Sequence, residues 1–387
     1  MKKILIVGAI SDFGGREIEV KNIINALSEK YNVRLFSTVP MTKESIVFTG
    51  KYFEWNTIHK KLNNSHLVLR TLSYISKVVN KSNLPSYLLV DNKISRLFFN
   101  FKYRNVKNLQ DEVDNADAVL FCGVLDGSFL NEITEYCAKT KKPILFRTTG
   151  TITIIPDNVG EILSLFSFII VHSKINSIPL RNFTSDNIKI IDQTTLQERD
   201  LLNLPLEKTT NLKFGYLGRF SAEKGILELI DGFQECKREL IIGGKGPFLQ
   251  MIEEKCNENP FLQYVGEISA DKISDFFARI DCLIIPSFED AGPLVGIEAM
   301  AAGKIILSTK VGAMMERLNQ TTNQFWFDIN NKDSLLKEIS IIANKSEEEI
   351  LNIRENLRDR YLNAYSEKTI SNQYMDLFDE AFQNIKN

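Results

Sequence analysis

Arg219 and Lys224 stand five residues apart in the stretch GRFSAEKG, which follows the apolar run KFGYL and leads into a helical pattern. Two fixed cations beside a helix N-terminus, where the first backbone N–H groups lack intrahelical acceptors, make a field suited to a diphosphate. About seventy residues further on, PSFEDAGPLVGIEAMAAG (Pro286 to Gly303) sets Glu289, Asp290 and Glu298 in a segment otherwise apolar and broken by glycines. Its PLVGIEAMAA part reads as a helix with proline in the first turn and Gly303 as its stop, so the amides around Gly292, Pro293 and Leu294 form a second place for an anion. Proline carries no N–H, which makes Leu294 and Val295 the better donors. Glu298 lies about one and a half turns into that helix, where a carboxylate can accept hydrogen bonds from a vicinal diol, as an acid grips a ribose in dinucleotide folds. The plainer readings are that Arg219 and Lys224 solvate a loop and that Glu298 pairs with a basic neighbour.

Groups of this kind need strand ends to hold them, and the chain supplies strand and helix patterns twice over. In the first half, KILIVGA (Lys3 to Ala9) reads as a buried strand, Gly15 to Lys30 has helical periodicity, and VRLFST (Val33 to Thr38) is a strand again. AVLFC, PILFRTT, FIIVH and IKIID follow as further strands, with a helix near Ser128 to Lys139. After a polar, patternless stretch the pattern restarts with LKFGYLG and continues through a helix from Gly225, ELIIGG, FLQYVG, CLIIPS and KIILST; from about Asp333 to Asn387 it is helical and charged. The fold class expected is α/β: two Rossmann-like domains with parallel sheets, facing each other across a cleft at the strands' carboxyl ends, and a helical C-terminal tail. The domains are set at 1–195 and 196–365, with a terminal helix over 366–387 packing back toward the first.

Composition removes several function classes. The chain has 387 residues, 44% hydrophobic and 25% charged, enough for two ordinary domains. A net charge of −2 gives no global pull toward nucleic acid, so no nucleic-acid partner is expected. The opening MKKILIVGAI is too short in its apolar run for a signal peptide and reads better as a first strand. No stretch approaches the roughly 20 apolar residues of a membrane span. Cys122, Cys137, Cys236, Cys256 and Cys282 show no metal-ligand spacing, and a cytoplasmic location is expected. The first strand is followed by GAISDFGG rather than G-x-G-x-x-G, against a dinucleotide-dependent dehydrogenase.

With these residues in place, the chain resembles the GT-B glycosyltransferases of the large retaining family 4, the glycosyltransferase group 1 class. The resemblance rests on GR-x(4)-KG, followed by an acid, seven residues and Glu-Ala-Met-Ala-x-Gly; LIIGGKGP, YVGEIS and STKVGAMMERL are similar to further family segments, and FGGREIEVKNIINAL to its GG-x-E opening. It implies that Arg219 and Lys224 bind the diphosphate of a nucleotide-sugar and stabilise the leaving group, and that Glu298 binds the ribose hydroxyls. By register Asp290, eight residues before Glu298, touches donor-sugar hydroxyls, with Glu289 the contact if the register slips by one. Gly292, Pro293, Leu294 and Val295 would meet phosphate and sugar, Gly14 and Gly15 would let backbone approach the phosphates, and Gly218, Gly244 and Ile268 would border the nucleotide. The implied reaction is retaining and metal-independent, uses a UDP- or GDP-linked donor without a further cofactor, and builds bacterial surface polysaccharide. A nucleotide-sugar epimerase or phosphorylase of the same fold, or a non-catalytic sugar-nucleotide-binding protein, are the alternatives.

The pattern departs from the family in two places. A histidine expected near the strand ILFRTTG is replaced by Arg147, Thr148 and Thr149, and DQTTLQ stands where Asn-Gly-Val-Asp is customary. His172, at a strand end, is the one histidine near the expected site; the plainer reading makes it ordinary. The acceptor is expected to be a glycan or a polyprenyl-diphosphate-linked glycan. Residues 51–107 carry eleven Lys or Arg against Glu54 and Asp91, interleaved with aromatics and leucines. That basic insertion either rests on the anionic inner face of the plasma membrane or packs as a solvated helical insertion on the first domain.

Overall fold

The structure, a computed structural model, describes residues 1–48, 53–184, 186–207, 209 and 211–384. Lys51, the first cation of the basic insertion, and the last three residues of the expected terminal helix lie outside them. The chain divides into two compact units: Met1–Val171 with Ser177–Ile190 and Ser371–Asn387, and His172–Asn176 with Ile191–Ile370. The sequence reading sets the divisions at 195/196 and 365/366; the packing moves them to 190/191 and 370/371 and gives His172–Asn176 to the second unit. Asp192 explains part of the shift, because its carboxylate is held by Arg317 of the second unit at 2.7 and 2.9 Å.

The first unit is a seven-stranded sheet of β1 (Lys3–Gly8), β2 (Asn32–Ser37), β3 (Glu54–Thr57), β4 (Ala118–Gly123), β5 (Ile144–Thr148), β6 (Phe168–Val171) and β7 (Ile188–Ile190). Its order is β3-β2-β1-β4-β5-β6-β7 and every pairing is parallel. All six residues of β4 are buried, as a strand covered on both faces requires. The helix α1 (Gly15–Leu27) makes the first crossover, and the chain between β3 and β4 folds as α2 (Ile58–Ser65), α3 (Leu67–Val79), α4 (Lys93–Phe98) and α5 (Phe101–Asp114). The last helix, Glu367–Gln383, returns to this unit: Asp379 accepts from Tyr31 Oη at 2.6 Å and pairs with Lys30, Lys189 meets Glu380 at 3.1 Å, and Tyr31 packs against Phe378 and Phe382.

The second unit holds β8 (Phe214–Leu217), β9 (Leu240–Gly243), β10 (Leu262–Tyr264), β11 (Cys282–Ile285), β12 (Ile305–Ser308) and β13 (Phe325–Trp326), all parallel, in the order β10-β9-β8-β11-β12-β13. Its core joins Phe214, Phe233, Ile284, Met300 and Tyr361, each at most 1% exposed. In both units the strand order reverses beside the first strand, between β1 and β4 and between β8 and β11. Loops leaving the carboxyl ends of such a pair diverge and leave room for a ligand.

Candidate functional site

The loops that leave β8 and β11 are tied together by backbone. The carbonyl of Glu223, in the 3-10 turn Ala222–Lys224, accepts the N–H of Phe288 at 2.9 Å and of Glu289 at 3.3 Å. Gly225 closes this arrangement: its φ of 62° is left-handed, and a Cβ there would stand 2.0 Å from the Pro286 carbonyl oxygen. The glycine of the K-G pair is thus a steric requirement of bringing the two loops together. The helix expected from Gly225 runs over Ile226–Phe233.

Arg219 is exposed, and its guanidinium has no ion-pair partner among the described residues. Lys224 is partly buried and pairs with Asp290. An ammonium has three donors, so that bond leaves two for another anion. The two cations share one neighbourhood: the Glu223 carboxyl is held below its ordinary value first by the hydrogen bond from Ser221 Oγ and further by the fields of Lys224 and Arg219.

Asp290 is fixed on both oxygens, by Lys224 on Oδ2 and by the Gly292 N–H at 3.2 Å on Oδ1. Glu289 is exposed. Of the two candidate acids, the structure therefore sets Asp290 beside the cation. The helix begins at Leu294, after Pro293, and runs to Ala302 with Gly303 at φ 62° as its stop. By position the N–H groups of Leu294 and Val295 have no intrahelical acceptor, and both residues are partly exposed. Glu298 lies on the same helix, 3% exposed. It makes no hydrogen bond or ion pair among the described residues, and desolvation alone pushes its carboxyl up to about 7. The pairing with a basic neighbour offered as the plainer reading is absent among the described residues. Gly218 donates to the Gly243 carbonyl at 3.2 Å, tying the turn after β8 to the end of β9, and Gly244 donates to that of Gly266 at 2.9 Å, tying the turn after β9 to the turn after β10. Ile268 is partly buried against the core of the unit.

The remaining candidates sit elsewhere. Gly14 and Gly15 lead into α1 in the first unit, Gly14 with φ 149°. Arg147 is fully buried and pairs with Glu19, so its charge is already matched inside the first unit. Thr148 is buried, its hydroxyl 3.3 Å from the Ile170 carbonyl. His172 is buried in the second unit with Nδ1 4.0 Å from Asp192. No group of three or more His, Cys, Asp or Glu among the described residues is arranged to hold a metal ion.

Arg317 is the residue that the sequence reading passed over. Fully buried, it grips Asp192 with two nitrogens and donates through Nη1 to the Pro293 carbonyl at 2.5 Å, which fixes the entry into the Leu294–Ala302 helix. Its one signal in sequence is a lone cation inside the apolar run following STKVG.

Residues 201–360 match the family model described as glycosyl transferases group 1, so this stretch, which contains every candidate from Gly218 to Glu298, is a glycosyltransferase group 1 domain. An uncharacterized glycosyltransferase of Methanocaldococcus jannaschii is 28% identical over 127 residues, covering 31% of this chain and 33% of that protein. Lipopolysaccharide 1,2-N-acetylglucosaminetransferase of Salmonella typhimurium is 28% identical over 217 residues, covering 51% of this chain and 55% of that protein. The matched stretches thus span from a third to about half the length of these curated relatives. The fold is GT-B: the structure of Anabaena HepE, solved in complex with UDP, is similar over 98% of this chain and 100% of that one, with a TM-score of 0.70 and 15% identity.

Proposed function

We propose that the chain is a retaining glycosyltransferase that moves a sugar from a UDP- or GDP-linked donor to a glycan or polyprenyl-diphosphate-linked glycan, in bacterial surface polysaccharide synthesis at the cytoplasmic face of the membrane. One observation carries the reading. A group 1 domain brings a free guanidinium, a lysine with donors to spare, a helix N-terminus and a buried unpartnered carboxylate to the ends of two adjacent strands. Those are the complements of a diphosphate and a ribose diol. The UDP seen in HepE and the lipopolysaccharide named for the Salmonella relative agree with this choice of donor and acceptor.

In the proposed reaction the bond from the sugar C1 to the diphosphate oxygen breaks, the acceptor oxygen bonds to C1 on the same face, and the acceptor's proton passes to the departing phosphate oxygen. Charge grows on the leaving group, where Arg219, the remaining Lys224 N–H donors and the Leu294 and Val295 amides are pre-arranged to meet it. Asp290, held by Lys224 and Gly292, accepts from donor-sugar hydroxyls, and Glu298 from the ribose. The two cations do the work of a divalent ion, so turnover is expected to persist in EDTA. Thermal denaturation with UDP, GDP and their sugars is the direct test: a ligand at a hundred times its Kd raises stability by ~2.7 kcal/mol. A chain indifferent to every nucleotide at millimolar concentration would not be this enzyme.

A further inference from the structure

We infer that the outward faces of α3 and α4 insert into the surface of an anionic lipid bilayer and dock the chain there. This deepens the membrane-side location just proposed and rests on it. An ordinary surface helix turns its apolar stripe to the core; α3 does the reverse. Leu67, Ile75, Val78 and Val79 recur at helical spacing on its exposed side, Val79 72% exposed, while its buried residues are Leu69 and Ser73. Ser73 fixes that orientation, since its hydroxyl is buried and bonds to Asn63 Oδ1 at 2.7 Å. The helix is thus held by Leu69, which enters the unit's core, and by this polar contact, with its remaining aliphatic side chains facing out. Packed against it, α4 exposes Leu97 at 80% and Phe98 at 74%. Large apolar side chains exposed together on two packed helices mark an interaction site.

The charge around the patch selects the occupant. Arg70, Lys77, Lys81, Lys93, Arg96 and Lys102 lie on or beside these two helices. Asp91 is the nearby acid and is already paired with Arg96 at 2.6 Å. A second copy of the chain meeting this face about a two-fold axis would set like charges against one another. An anionic bilayer satisfies both features at once: aliphatic side chains enter the acyl boundary while lysines and arginines reach the phosphates. With 13 residues, α3 is well short of the ~20 a span needs and would lie in the plane of the interface.

The full chain is tested by co-sedimentation with vesicles of phosphatidylcholine alone and of phosphatidylcholine with phosphatidylglycerol. The wild type is expected to bind the anionic vesicles at least tenfold more tightly than the neutral ones. Both Val79→Ser/Leu97→Ser/Phe98→Ser and Lys77→Glu/Lys93→Glu are expected to bind the anionic vesicles at least tenfold more weakly than the wild type, with the thermal shift given by UDP unchanged. Wild-type indifference to anionic lipid overturns the inference, as does undiminished binding by the serine variant. If that variant fails to fold, the surface charge variant decides by the same criterion. A chain shifted by UDP but deaf to vesicles loses this inference and keeps the transferase reading; one that binds vesicles but no nucleotide does the opposite.

Discussion

Around the switch point of the first sheet, polar side chains already have one another. Glu17 accepts from the N–H and the hydroxyl of Ser11 at 2.7 and 2.8 Å, Arg16 bridges the Ala9 carbonyl and Thr149 Oγ1 at 2.8 and 2.9 Å, and Glu19 pairs with Arg147. At the switch point of the second sheet, Arg219 and Glu298 have no such partners, and Glu298 bears the cost as a raised pKa. The same topological position is used for internal cohesion at one switch point and for unmet bonding capacity at the other. Charged groups left without a partner at strand ends, one of them on a residue only 3% exposed, point to a ligand that satisfies them.

The largest effect that tests the contrast is in the first unit. Glu19→Ala leaves the Arg147 guanidinium buried without its carboxylate, and breaking a buried pair in this way costs about 3–5 kcal/mol. The expected result is a steep fall in melting temperature. Unchanged stability in Glu19→Ala, with activity lost, would break the contrast and return Arg147 to the list of substrate contacts.

Next in size is Arg219→Ala. An exposed guanidinium without a partner contributes little to folding, so stability should move by less than about 0.5 kcal/mol. Removing a group that meets leaving-group charge should lower kcat by about 10² to 10³. Steady-state kinetics beside a denaturation curve separates the two, and the reverse result would make Arg219 a structural residue.

These contrasts show what the sequence could and could not carry. Strands, crossovers and the GRFSAEKG and acid-x(7)-Glu motifs were legible because they are local: a run of five or six residues or a fixed spacing along one helix. The Lys224–Asp290 pair spans 66 residues and depends on β8 and β11 being neighbours, which chain order does not reveal. Arg317 and Asp192 are 125 residues apart. Arg147 lies in an apolar strand and reads as a strand-end contact until its burial against Glu19 is seen. For α3 the periodicity announces two unlike faces, but the choice of inward face is made by Leu69 in the core and by the contact of Ser73 with Asn63, ten residues apart on different helices.

Glu298 sharpens the contrast through pH. Burial raises its carboxyl from 4.5 to about 7, so the folded, unliganded chain holds this proton more tightly than the unfolded chain. The stability it contributes is therefore present below pH 4.5 and is lost as pH rises through about 7. A diol donating to the carboxylate favours the ionised form, so binding UDP should release a proton below that pH, and affinity should rise as pH approaches it. Glu298→Gln is expected to abolish this proton release and to weaken UDP binding by about 1.5–3 kcal/mol, the worth of hydrogen bonds to a charged group. Calorimetry in two buffers of different ionisation enthalpy counts the proton, and comparing wild type with variant cancels the titration of the phosphate itself. Equal proton release by both proteins would mean that the diol is held elsewhere.

The smallest effect returns to the first unit. Gly14 has φ 149°, and a Cβ there would stand 2.6 Å from Glu17 Oε2, the far end of a side chain able to move. Gly14→Ala should therefore cost near the low end of the about 1–3 kcal/mol expected for a strained backbone position, part of it by loosening Glu17 from Ser11. If Gly14 serves only this loop, UDP affinity in the variant stays at the wild-type value while melting temperature falls slightly. If backbone at Gly14 also approaches the donor phosphates, as the family resemblance implies, the added methyl weakens UDP-sugar binding beyond what the stability change explains. The first sheet's switch point would then share the ligand-facing character so far assigned to the second.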